Sequence, residues 1–231
     1  MRTRGRGRGS VLRPATALAA ALALSGCAGF QQITAVTTPA ELYTLTPKSS
    51  FDPATPQVAA QLVVEEPTAA SGVSTDRIAV MPNPLRMQYF PVARWVDRAP
   101  LMVQTLLLES FENSGRIAAV GRSAVGLRAD YSLVTDLREF QARLPEGAAP
   151  GDIVEVLVRL NIKIVDSRTD RIVGSRSFED REPSASNAML DVAMAFDGAL
   201  GTVMRRAVEW TLATVAEREA ELGGRRDRFG Y

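Results

Sequence analysis

One stretch constrains the fold of this chain more than any other, the alternation between Ile153 and Val165. Val154, Val156, Val158, Leu160, Ile162 and Ile164 point one way, and Glu155, Arg159, Asn161 and Lys163 point the other. A strand with one polar face belongs to an antiparallel sheet covered on one side only. Its neighbours extend the pattern. Between Asp130 and Leu144, Tyr131, Leu133 and Leu137 share a face opposite Ser132, Asp136 and Arg138. The turn Asp166-Ser167-Arg168-Thr169-Asp170 leads into a third strand over Arg171 to Phe178. These three segments predict a β-meander.

Two helices supply the cover. The first is predicted from Ala99 to Asn113, with Asp97 as N-cap, Pro100 in the first turn and Gly115 as C-terminal cap. Val103, Leu106, Leu107, Ser110 and Phe111 form its apolar face. The second is predicted from Ser186 to Glu221. Met189, Val192, Phe196, Leu200, Val203, Ala207 and Trp210 recur at spacings of three and four. Ala193, Ala199 and Ala213 would let it lie close to a sheet, and the tail after Leu222 is expected to fray. Shorter strands are expected at 42–45, 61–65, 77–81, 85–90 and 117–120, separated by proline-rich loops. The expected fold is α+β, a two-layer arrangement in which a mixed, largely antiparallel sheet with a β-meander is packed on one face by a middle helix and a long C-terminal helix.

The amino-terminal segment speaks to location. Arg2, Arg4, Arg6, Arg8 and Arg13 precede an apolar run from Ala15 to Leu24, then Leu24-Ser25-Gly26-Cys27. A basic region, a short apolar region and a small-residue cleavage site make a secretory signal peptide. The apolar run is too short to span a hydrocarbon core, which needs ~20 residues of helix. The cysteine directly after Leu-Ser-Gly resembles the bacterial lipobox, in which the thiol takes a diacylglycerol and becomes the first mature residue. Cys27 is also the one cysteine in the sequence. The reading is therefore a signal peptide over 1–26, a lipidated tether over 27–41, one domain over 42–221 and a polar tail over 222–231.

Composition then excludes whole classes of chemistry. Five of the 27 basic residues and none of the 26 acidic ones lie in the leader, so the mature chain carries about −4. That balance argues against nucleic acid as a partner. With no histidine in the chain, Ser-His-Asp and Cys-His nucleophile systems and the usual His-based metal sites are absent. There is no G-x-S-x-G elbow, S-x-x-K or P-loop. Glu65-Glu66 and Asp180-Arg181-Glu182 offer carboxylates, in a pattern typical of solvated strand ends. No cofactor, no metal and no catalytic residue is expected.

In their order along the chain, these pieces resemble the ABC-type transport auxiliary lipoproteins, the PqiC-like family. The resemblance rests on the lipobox, Tyr43-Thr44-Leu45, Tyr89-Phe90, Arg94-Trp95, Ala99-Pro100-Leu101, Asp130-Tyr131-Ser132-Leu133 with Phe140, and Ala195-Phe196-Asp197-Gly198-Ala199-Leu200 ahead of Trp210. It spans about residues 42–213. It implies a non-enzymatic, periplasm-facing lipoprotein that accompanies an MCE-domain protein with an ABC permease and ATPase, in systems that move lipids or other hydrophobic molecules. It implies lipid attachment at Cys27. Ala28, in place of the aspartate tied to inner-membrane retention in enteric bacteria, favours the outer membrane. Tyr89, Phe90, Arg94 and Trp95 are candidate contacts for a partner or lipid. A homo-oligomer is a further expectation, because a meander leaves edge strands to pair. The alternative is a stand-alone lipid carrier, which would need an internal apolar pocket.

Overall fold

The computed structural model describes residues 39–123, 128–145, 147–149 and 151–229. The leader, Cys27 and most of the tether lie outside the described residues. The described strands are β1 (Glu41–Tyr43), β2 (Val58–Val64), β3 (Thr68–Ala69), β4 (Arg77–Asn83), β5 (Arg86–Trp95), β6 (Ile117–Gly121), β7 (Tyr131–Arg143), β8 (Glu155–Asp166) and β9 (Arg171–Pro183). The helices are α1 (Ala99–Ser114) and α2 (Met189–Phe229). This is the expected α+β fold, a single mixed sheet with its meander and two helices.

β7 is the hub. One edge pairs antiparallel with β8 along its whole length, and β8 pairs antiparallel with β9. The other edge is shared end to end by three parallel strands. β2 takes Tyr131 to Leu133, β3 takes Asp136 and Leu137, and β4 takes Ala142 and Arg143. β6 then adds to β2, while β5 and β1 add to β4. The meander emerged from its alternation, but the parallel half of the sheet did not. Its strands are short and carry little periodicity of their own.

The core lies between the sheet and the helices. Val156, Val158, Leu160, Ile162 and Ile164 of β8 are all buried there, as are Val192, Phe196, Leu200, Val203 and Ala207 of α2. α1 buries Val103, Leu106, Leu107, Ser110 and Phe111. The opposite face of the meander is charged. Arg159 bridges Glu139 and Glu179, Arg181 pairs with Glu179 at 2.9 Å, and Arg143 pairs with Glu155 at 2.8 Å. Leu157, which shares this face with Glu155 and Arg159, is nevertheless buried.

Several boundaries differ from expectation. The N-cap of α1 is Arg98, with φ −58° and ψ 137° and no side-chain cap, whereas Asp97 accepts a 2.7 Å bond from the Arg98 N–H. Gly115 closes the helix in the left-handed conformation at φ 59° as foreseen. β9 runs on to Pro183 because Glu179 to Pro183 stay in register with Arg159 to Glu155. α2 begins later, at Met189, with Ser186 Oγ accepting the Ala188 N–H at 3.1 Å just ahead of it. It also continues through the polar tail to Phe229.

Candidate docking surface

β5 positions all four of the aromatic and arginine candidates, but it does not bring them to one face. Trp95 is 2% exposed and sits inside the domain. Its ring centroid lies 5.5 Å from that of Phe140 and 5.0 Å from that of Phe196, which are themselves 5.0 Å apart. This triad ties β5, β7 and α2 together, with tilted and edge-on contacts of the kind aromatic quadrupoles favour. Phe90 is half-buried against the same core. Tyr89 is half-buried under the 70–75 loop: its hydroxyl donates to the Gly72 carbonyl at 3.1 Å, and the Arg77 guanidinium lies 3.7 Å from its ring centroid. Arg94 is exposed and holds both carboxylate oxygens of Asp76 at 3.0 Å. Tyr89 and Arg94 therefore reach the surface, already engaged by the loop before β4.

The residues that do stand free were not singled out by sequence reasoning. Leu85, at the tip of the β4–β5 hairpin, is 98% exposed. Ile153, Leu190 and Met194 are each roughly half exposed or more, and Met87 is partly so. They come from three separate stretches of sequence, so no window reveals them as a group. The one local signal was Asn83-Pro84-Leu85-Arg86, where an apolar residue occupies a turn position usually given to Gly, Asn or Asp.

The carboxylates noted in the sequence are dispersed into ion pairs. Glu66 pairs with Arg98, and Asp180 lies 3.5 Å from Arg206. Burial raises the Asp180 carboxyl above its ordinary pKa, and Arg206 and Arg205 oppose that rise. A tighter knot lies at the β8–β9 turn. Asp166 is fully buried and meets Arg168 at 3.1 Å and Arg218 at 3.4 Å. Arg168 also meets Glu219 at 2.8 Å, and the buried Tyr131 hydroxyl donates to Glu219 at 2.5 Å. Burial works against the charge on Asp166, yet the Arg168 and Arg218 donors outweigh it and hold the carboxyl below its usual value. Glu219 is likewise lowered, its burial outweighed by the bonds from Tyr131 and Arg168. Burial, reinforced by Glu219, pushes the Tyr131 phenol upward. With every charge answered, the knot fastens α2 to the sheet.

Two clefts of about 430 and 310 Å³ are open to solvent. The larger is lined by Ser50, Asp52, Arg205 and Glu209 among others, and the smaller by Glu65, Ser123, Arg128 and Ser132 among others. Among the described residues no group of three His, Cys, Asp or Glu side chains is placed to hold a metal ion. Among them, too, no helix is long and apolar enough to cross a membrane.

A family model described as the ABC-type transport auxiliary lipoprotein component matches residues 43–208. The chain belongs to this family. The match runs from the end of β1 into the middle of α2, so it takes in the whole sheet beyond β1 and the aromatic triad. A protein of Bradyrhizobium diazoefficiens is 30% identical over 193 residues, which are 81% of this chain; the chain spans about half the length of that relative. A crystal structure from Xanthomonas campestris superposes with a TM-score of 0.72 at 36% identity, covering 78% of this auxiliary lipoprotein and 99% of that chain. A second crystal structure shares the fold at a TM-score of 0.54 and 11% identity, over 78% of this chain and 98% of its own.

Proposed function

We infer that this auxiliary lipoprotein is a non-enzymatic, periplasm-facing subunit of an ABC/MCE-type transporter that moves lipids or other hydrophobic molecules across the cell envelope. Cys27 carries the lipid anchor, in the outer membrane in preference to the inner. An MCE-domain protein and its permease and ATPase are the partners. The observation that carries this reading is the family match across the folded domain. The architecture supports a docking role. The two helices meet the sheet through one continuous core, and both described clefts are open and polar-lined. A carrier needs an enclosed apolar cavity of several hundred Å³. The Asp, Glu and Arg side chains of the interior are spent on each other, as at Asp166.

The test is an affinity pull-down of the lipidated protein from fractionated membranes, with mass spectrometry of co-purifying proteins and lipids. Recovery of an MCE-domain protein with its permease or ATPase is the expected result. Stoichiometric lipid with no protein partner would sink the reading and make the chain a carrier.

A further inference from the structure

Five of the exposed large apolar residues, Leu85, Met87, Ile153, Leu190 and Met194, lie towards one end of the domain. β4 runs parallel to β7 and pairs its Met81 with Arg143, the last residue of β7. The β4–β5 hairpin therefore overshoots the end of β7, carrying Leu85 at its tip. The tip is braced, since Asn83 Oδ1 accepts the Leu85 N–H at 3.1 Å and Asn83 lies opposite Arg86. The β7–β8 loop, with Ile153, leaves from the same end. So does the start of α2, with Leu190 and Met194, because Asn187 Nδ2 donates to the Gly151 carbonyl at 2.7 Å and the Asp152 carbonyl at 3.1 Å.

The course of β1 shows which occupant fits. β1 is parallel to β5, with Glu41 opposite Ala93. β1 therefore runs away from the hairpin tip, with Glu41 at its tip-facing start. Cys27 lies fourteen residues before Glu41, a reach of at most about 50 Å. That length is enough to bring the anchor to the end where Leu85 stands bare.

We propose that this apex, led by Leu85 with Ile153, Leu190 and Met194 around it, sets into the interfacial layer of the same bilayer that holds the acyl chains. The proposal rests on lipidation of Cys27. Lipid chains attached through a tether of this length fix proximity but not orientation. An apolar apex adds a second point of attachment, which turns the charged face of the meander sideways, parallel to the membrane normal. Arg86, beside Leu85, suits such a position, because its stem lies along apolar surface while its guanidinium stays at the headgroups.

The experiment uses the full chain, lipidated and reconstituted into vesicles of phosphatidylethanolamine and phosphatidylglycerol. Acylation consumes the Cys27 thiol, so an introduced cysteine is the one site for a polarity-sensitive thiol probe. Leu85→Cys and Leu190→Cys report the apex; Ile172→Cys, at the start of β9 and the opposite end of β7, reports the far side. All three positions are more than half exposed, so labelling leaves the core intact. The expected result is blue-shifted emission and quenching by nitroxide lipids at 85 and 190, with 172 in water. Flotation of the protein with all three probes equally in water would overturn the apex contact while leaving the anchor standing. Failure to float would overturn both. Protection of 85 and 190 that arises on adding purified MCE-domain protein, and not on adding lipid, would overturn the membrane in favour of a protein partner.

Discussion

At the residue scale, neighbours in sequence have opposite consequences. Trp95 fills the space between Phe140 and Phe196, so Trp95→Ala would open a cavity at the junction of β5, β7 and α2. A loss of about 3–5 kcal/mol is expected, read as a lower urea midpoint with an unchanged m-value. Arg94→Ala removes an ion pair whose partners are both more than two-fifths exposed, and should cost no more than about 1 kcal/mol. If Arg94→Ala nevertheless weakens partner recovery in the pull-down, Arg94 contacts a partner. If it does not, the Arg-Trp pair serves the fold. The sequence singled out this pair as candidate contacts. It could not say which member faces inward, because the bulge in β5 between its pairings at Tyr89 and Arg94 breaks strict alternation.

At the element scale, α2 is held by packing along its first half and by charge further on. Gly174 permits the packing. A Cβ there would come within 3.0 Å of the Trp210 ring and 3.1 Å of Thr214 Cγ2, so Gly174→Ala should push α2 away from β9 and cost about 1–3 kcal/mol. The sequence placed small residues on the helix as the device for close approach, and the sheet supplies another. The charged knot makes a separate prediction. Asp166 and Glu219 both have carboxyls held below their ordinary pKa. Their contribution to stability is therefore complete above the unfolded values near ~4 and is lost as pH falls through the lower folded values. Asp166→Asn should cost about 2–4 kcal/mol at neutral pH, because Arg168 and Arg218 lose the buried carboxylate they share and keep only the more exposed Glu219 and Glu221. It should also flatten the fall in stability below pH 4 in urea titrations at stepped pH. An unchanged acid slope would show that other carboxylates govern it. This knot was not legible beforehand, since Tyr131, Asp166 and Glu219 are brought together across 88 residues by tertiary structure alone. The seam of α2 was legible because its period of three and four is written within a single element.

At the scale of the whole molecule, anchoring and folding should separate. Among the described residues the first strand begins at Glu41 and the core at Leu45, both well downstream of Cys27. Cys27→Ser should therefore shift the protein from the membrane fraction to the soluble periplasmic fraction without changing its thermal midpoint. For a domain of this size 1 kcal/mol corresponds to roughly 2–4 °C, so a midpoint matched within about 2 °C would place the tether outside the cooperative unit. A larger drop would mean that residues before Glu41 contribute to the fold, and the boundary drawn at residue 42 would have to move. The same variant separates the anchor from the apex. Without acyl chains, a handful of interfacial side chains leaves a weak, reversible attachment to vesicles. Residual binding of Cys27→Ser that disappears when Leu85→Asp is added would be the apex acting alone. Binding insensitive to Leu85 would place the lipid contact elsewhere on the domain.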